Sequence, residues 1–188
     1  MFLIINSMNT HLKRATLGGG CFWCIEAVYK RLTGVVSVQS GFSGGSIKNP
    51  AYREVCTGRT GHAEVCDIQY DPKIVAFEDL LNIFWEIHDP TTLNRQGNDV
   101  GTHYRSVIYF HDEEQKSVAE KLKVRWSETT FTDKPIVTEI TEFSNFYPAE
   151  EYHSDYYDLN SEEPYCRIVI LPKVEKFKKL FHHKLKKS

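Results

Sequence analysis

Several things are scarce in this chain of 188 residues, and each scarcity removes a class of protein. No apolar run approaches the roughly 18 residues that a membrane-spanning helix needs, so a membrane protein is not expected. Neither sign of charge dominates: 23 Lys and Arg stand against 25 Asp and Glu, a formal net charge of -2. Such a balance gives no overall attraction to nucleic acid or to an anionic membrane. Internal repeats, Pro/Ser-rich linkers and low-complexity tracts are all missing, which leaves one domain and rules out disorder on composition. The opening Met1–Met8 has no basic n-region and no small-residue cleavage site. It therefore does not read as an export signal. Residues 1–11 are expected to be a loose leader and 12–188 one catalytic domain in the cytoplasm. In a reducing compartment the five cysteines are thiols, ligands or catalytic groups rather than a disulfide framework.

What is present alternates. Arg14–Leu17 reads as a strand, Gly18–Gly20 as a turn, and Cys21–Lys30 as a helix, because Phe22, Ile25 and Tyr29 recur at helical spacing. Further strands are expected at Val35–Phe42, His62–Tyr70, Arg105–Phe110, Pro135–Glu142 and Arg167–Leu171. Helices are expected at Phe77–His88, Asp112–Trp126 and within Ala149–Leu159. Residues 89–104 are a long polar segment of the kind that is usually functional or disordered. The tail, about 172–188, carries seven Lys and one Glu and places Val174, Phe177, Phe181 and Leu185 on one helical face. These elements predict an α+β fold. We expect a two-layer sandwich on a mixed sheet, with a ferredoxin-like (split βαβ) core and long irregular segments.

The chemistry is expected first at Cys21 and Cys24. A thiol after three glycines at a helix start has free backbone N–H groups and the positive end of the helix dipole beside it, which lowers its pKa. Three residues apart on a helix, the two cysteines share a face and could join as a disulfide. Half of a zinc site, or a pair of small buried hydrophobes, would use the same spacing. The glycines complete neither nucleotide-binding fingerprint. Cys56, His62 and Cys66 lack standard zinc spacing. Glu64 lies early in an apolar strand, where a carboxyl is ordinarily solvated; in a closed pocket it would instead hold a proton at neutral pH. Tyr52 and Tyr104 can each donate a phenolic hydrogen bond, although a tyrosine more often packs. Phe22 and Trp23 suit either a core or an apolar cage. Cys166, just before an apolar run, is most simply buried. No His is placed by spacing as the base of a Cys–His dyad.

In order along residues 15–171, the chain carries Gly20-Cys-Phe-Trp-Cys24 with Glu26, Gly41-x-x-Gly-Gly45, Asn49-Pro-x-Tyr52 and Glu54-Val-Cys-Thr-Gly58. Then come Thr60-Gly-His-Ala-Glu64, His88-Asp-Pro-Thr91, Gln96-Gly-Asn-Asp-Val-Gly-Thr102, Tyr104-Arg-Ser106, Phe146-Tyr-Pro-Ala-Glu150 and Tyr165-Cys166. This series resembles the peptide methionine sulfoxide reductases of the A type. The resemblance implies that Cys21 attacks the sulfur of methionine (S)-sulfoxide, free or in oxidised proteins. It implies Glu64 as the acid that protonates the oxygen, Tyr52 and Tyr104 as a hydrogen-bonding pair, and Asp99 as a polar site residue. Phe22 and Trp23 match the methyl pocket, with His153 and Tyr165 close by. A sulfenic acid on Cys21 would be resolved by a second cysteine and reduced by thioredoxin or a similar dithiol. The match places Cys166 ahead of Cys24 as that second cysteine; Cys24 stands where most members have Gly. No metal, organic cofactor, nucleic acid or membrane partner is expected, and the protein is expected to be a monomer. The competing readings are a general thiol-disulfide oxidoreductase built on Cys21 and Cys24, and a non-catalytic zinc module.

Overall fold

A computed structural model of the chain describes residues 11–187; the leader expected over residues 1–11 lies outside them, except for His11. Strand β1 (Lys13–Gly19) occupies the middle of the sheet. It is flanked by β3 (Ala63–Tyr70), with Leu17 opposite Cys66, and by β6 (Ser106–Phe110), with Gly19 opposite Ser106. Strand β2 (Val35–Ser43) pairs with the outer side of β3, Phe42 opposite Glu64. These pairings are all antiparallel. The far edges are β7 (Glu139–Glu142), parallel to β6, and the two-residue β8 (Tyr147–Pro148) beside β2. The six strands run in the order β7-β6-β1-β3-β2-β8, a mixed sheet as expected.

Helix α1 (Phe22–Tyr29) carries the chain from β1 to β2, and α3 (Phe77–Ile87) carries it from β3 to β6. Each crossover spans two strands that have another between them. Both helices lie on one face because the strands present their apolar parity there. Leu17, Cys66, Ile68, Tyr70 and Ile108 pack with Ile25, Val28, Tyr29, Leu80 and Phe84 in a single core. The opposite parity, Ala63, Val65, Val107 and Tyr109, forms a small second cluster under Phe143 and Phe146. Between β2 and β3 lies the short helix α2 (Tyr52–Val55). Helix α4 (Glu113–Thr129) follows β6, opened by Asp112 Oδ1 accepting from the Gln115 N–H at 2.8 Å. No helix among the described residues is long and apolar enough to cross a membrane.

Four expectations change. The apolar run Arg167–Leu171 is not a strand: Cys166–Ile170 forms a π-helical turn that leads into α6 (Leu171–Leu180). Cys166, Ile170, Val174 and Phe177 are all buried, a stripe at helical spacing that a five-residue apolar run cannot reveal by itself. Pro172 lies in the first turn of α6, and the wide turn before it accommodates the N–H that proline lacks. The tail helix also stops at Leu180. The chain then lies against the end of α1, with Thr33 N–H donating to Lys184 O at 2.8 Å. The strand expected from Pro135 shortens to β7. Ala149–Leu159 divides into a 3-10 turn, Glu151–His153, and α5 (Tyr156–Leu159), separated by Asp155 at φ 55°.

The polar segment 89–104 is a folded loop. The Asp89 N–H donates to Gln96 Oε1 at 2.9 Å, and Gln96 Nε2 returns a bond to Asp89 O at 3.0 Å. This clasp holds the small hairpin of β4 (Arg95–Gln96) and β5 (Asp99–Val100), followed by a 3-10 turn, Thr102–Tyr104.

Candidate active site

The turn between β1 and α1 can be built only with glycine at its last position. Gly20 has φ +90°, and a Cβ there would lie 2.6 Å from the side chain of Gln96. Cys21 follows as the N-cap of α1, with its C=O accepting from the Cys24 N–H at 3.1 Å. Its side chain is buried, 6% exposed.

Glu64 faces the same point from below. On β3 it shares the parity of Cys66, Ile68 and Tyr70, which is the face covered by α1, so it is buried at 1% exposure. The solvated placement ordinary for such a carboxyl does not occur, because β3 lies between β1 and β2 and beneath the helix layer. The Phe22 N–H donates to Glu64 Oε2 at 3.0 Å. Oε1 is buried without any partner. Burial pushes the carboxyl up to about 8; the Phe22 hydrogen bond opposes this, while the negative charges of Asp99 and Cys24 add to it. Glu64 is therefore protonated at neutral pH.

The thiols depart from the expectation drawn from the helix dipole. Burial, the hydrogen bond with Cys24 and the nearby Glu64 push Cys21 well up. A helix end is worth about 0.3–1 kcal/mol in ordinary settings, whereas full burial moves a pKa by up to roughly 3–5 units, so burial prevails. Cys24 moves the other way, to about 7, through its interaction with Cys21 and the charge of Lys173 on α6.

Three phenols surround this pair. Burial, with Glu64 next, keeps Tyr52 and Tyr104 protonated well beyond the usual phenol range. Tyr104 also feels Cys21, and Tyr52 feels Cys56. Tyr165 donates to Asp99 Oδ2 at 2.6 Å and lies beside Cys21. Apolar rings form the wall. Phe22 lies between Phe42 and Tyr52, with ring centroids 5.9 and 6.2 Å away, and meets His153 edge-on at 5.1 Å. Trp23 donates its Nε1–H to His153 Nδ1 at 3.2 Å. Every site residue expected from the sequence except Cys166 is thus brought to the N-terminal end of α1. Cys166 is placed one shell further out: it is fully buried, and the thiol acting on it is Cys24.

The family model described as Peptide methionine sulfoxide reductase matches residues 13–185. The chain belongs to that family. A peptide methionine sulfoxide reductase MsrA of Saccharolobus solfataricus is 59% identical over 172 residues, which cover 92% of this chain and 96% of that protein. Among solved structures, reduced Mxr1 from Saccharomyces cerevisiae aligns with a TM-score of 0.76 at 36% identity, covering 83% of this chain and 90% of that one. Mxr1 in complex with Trx2 aligns with a TM-score of 0.54 at 28% identity, covering 76% and 84%.

Sequence reasoning missed four groups in this methionine sulfoxide reductase. Tyr156 stacks on Trp23 at 3.7 Å and 6°, fixing the indole from outside. Glu150 accepts the Tyr52 N–H at 3.0 Å, which seats α2. Lys173 reaches Cys24. His103, buried with Nδ1 unpartnered, packs on Tyr104 at 4.0 Å. Glu150 stood in a quoted motif, but nothing in the spacing marks the other three. Among the described residues, Cys56, Glu64 and His103 are the group whose ligand atoms lie close enough to share a metal, within 4.8 Å of one another. The set weighed from the sequence is not assembled. His62 instead accepts the Gly45 N–H at 3.0 Å and donates to Ile47 O at 2.7 Å, and Cys66 points into the core.

Proposed function

We propose that this reductase takes the S epimer of methionine sulfoxide, free or in peptides, with the roles divided as follows. The reduction of methionine sulfoxide at the expense of thiols is the activity of its family. A sulfoxide is basic at oxygen and weakly electrophilic at sulfur, so attack at sulfur requires oxygen to be protonated as the new bond forms. Glu64, holding its proton at neutral pH with Oε1 free, is that acid. Cys21, at the head of α1 and beside Glu64, is the nucleophile. Tyr52 and Tyr104, held as neutral phenols, donate to the same oxygen, while Phe22 and Trp23 receive the methyl group. Asp99 and His153 are positioning residues: Asp99 orients Tyr165 over Cys21, and His153 orients Trp23.

Collapse of the adduct releases methionine and leaves the oxygen on Cys21 as a sulfenic acid, two electrons having passed from the thiol to the sulfoxide. A second cysteine condenses with it to a disulfide and water. A thioredoxin-type dithiol then restores both thiols; Mxr1, the structural relative, has been captured with such a protein.

The observation that carries this reading is a buried, protonated, half-satisfied carboxyl at the head of the helix that begins with Cys21. The test is turnover of separated S and R epimers of a methionine sulfoxide peptide with dithiothreitol, using wild type and Cys21→Ser. Reduction of the S epimer alone, lost in the variant, is expected. Equal use of both epimers, or activity in Cys21→Ser, would overturn it.

A further inference from the structure

We propose that Cys24 is the resolving cysteine of this reductase. The proposal rests on Cys21 being the nucleophile and deepens that reading. Its basis is geometric. Cys21 caps α1 and Cys24 completes the first turn, with the Cys24 N–H on the Cys21 carbonyl at 3.1 Å and both side chains buried in the same core. Attack therefore needs no change in the backbone beyond a rotation of side chains within one turn.

Cys166 is placed differently. Its sulfur is fully buried in the π-helical turn, in one stripe with Ile170, Val174 and Phe177, and the Arg167 N–H is tied to Glu163 O at 3.0 Å. Bringing Cys166 to Cys21 would require unwinding that turn and exposing its stripe.

The step balances. The Cys24 thiolate attacks Cys21 Sγ, an S–S bond forms, and the S–O bond breaks. The departing hydroxide takes a proton and leaves as water. The electron pair of the S–S bond comes from the Cys24 thiolate, and the two thiols together account for the two electrons of the reduction, so one methionine is released for each disulfide made, and an external dithiol reduces that disulfide. Tyr165, the residue before Cys166 and a neighbour of Cys21, lines an open groove of about 470 Å³.

Wild type, Cys24→Ser and Cys166→Ala are given excess sulfoxide peptide without reductant, and then thioredoxin with its reductase. Wild type and Cys166→Ala are expected to yield a Cys21–Cys24 disulfide on peptide mapping and to turn over with thioredoxin at the same rate. Cys24→Ser is expected to release one methionine per chain, to show a dimedone-trappable sulfenic acid on Cys21, and to lose thioredoxin-driven turnover by about 100-fold or more. A Cys21–Cys166 disulfide in wild type, or full thioredoxin turnover in Cys24→Ser, overturns the proposal while leaving Cys21 as nucleophile. Wild type that releases no methionine overturns both. If Cys166→Ala fails to fold, the mapping of wild type decides alone.

Discussion

At the N-terminal end of α1, Glu64 receives one backbone N–H and no cation; at the other end, Glu26 is as deeply buried but has the Lys30 ammonium 3.8 Å away. Lys30 also pairs with Asp155, and its neighbour Arg31 pairs with Asp158. Burial pushes both carboxyls up, Glu64 to about 8 and Glu26 to about 7, with Lys30 the strongest group opposing it at Glu26. Burial alone thus makes a poor acid of any carboxyl. What reserves Glu64 for proton donation is that the fold withholds a cation from it, while the same helix supplies one, Lys30, about 12 Å further along its axis.

Breaking the first half of this contrast has the largest expected effect. Glu64→Gln keeps the acceptor for the Phe22 N–H but removes the proton, and kcat is expected to fall by about 10²–10⁴-fold, the range of general acid catalysis. Wild-type activity should decline as pH rises through about 8, as Glu64 loses its proton, and a stopped-flow pH profile of the variant should lack that limb.

The same substitution carries a stability signature. Folded Glu64 holds its proton more tightly than the unfolded chain, whose carboxyl ionises near the ordinary 4.5. Stability from this group is present below that value and is lost as pH rises through about 8. Denaturant midpoints of Glu64→Gln relative to wild type should therefore increase from pH 5 to pH 9. A constant difference would mean that the carboxyl is solvated.

Gly20→Ala comes next. It forces a side chain into the left-handed region and onto Gln96, so loss of about 1–3 kcal/mol of stability is expected, with lower turnover as Cys21 shifts. Retained Tm and kcat would show that the turn before Cys21 relaxes freely. Third, Lys30→Met should make Glu26 resemble Glu64 by raising its pKa beyond about 7, which a carbon-detected NMR titration would read directly. The smallest effect is expected from Glu26→Gln. Turnover should be unchanged, and only the dependence of stability on pH between about 4.5 and 7 should flatten.

Much of the site was legible because its parts are close in sequence or fixed by strand parity. Cys21, Phe22, Trp23 and Cys24 are consecutive on one turn. Glu64 could have been placed, since it shares parity with Cys66, Ile68 and Tyr70, yet judging whether that face is covered requires knowing that β3 is flanked on both sides. The protonation of Cys21 was misjudged for a related reason: a helix end is visible in sequence, whereas burial under Tyr165 and beside Glu64 is a tertiary fact. The segment after Tyr165 was misread because five apolar residues fit a buried strand as well as a buried helical turn. Its true period continues through Val174 and Phe177, beyond a proline that reads as a stop. Lys173 and Tyr156 were invisible, because nothing in a lysine-rich tail or a tyrosine pair reveals which part of the core they will cover.

The two margins of the sheet have a consequence of another kind. β7 reads Glu-Ile-Thr-Glu, with a carboxylate at each end, and β8 is two residues long and contains Pro148. A margin so charged, and another so short and deprived of a donor, give an incoming strand almost nothing to extend. A protein whose family acts on peptides meets extended chain as a matter of course, and these margins keep such an encounter from growing into a shared ladder and then a fibril.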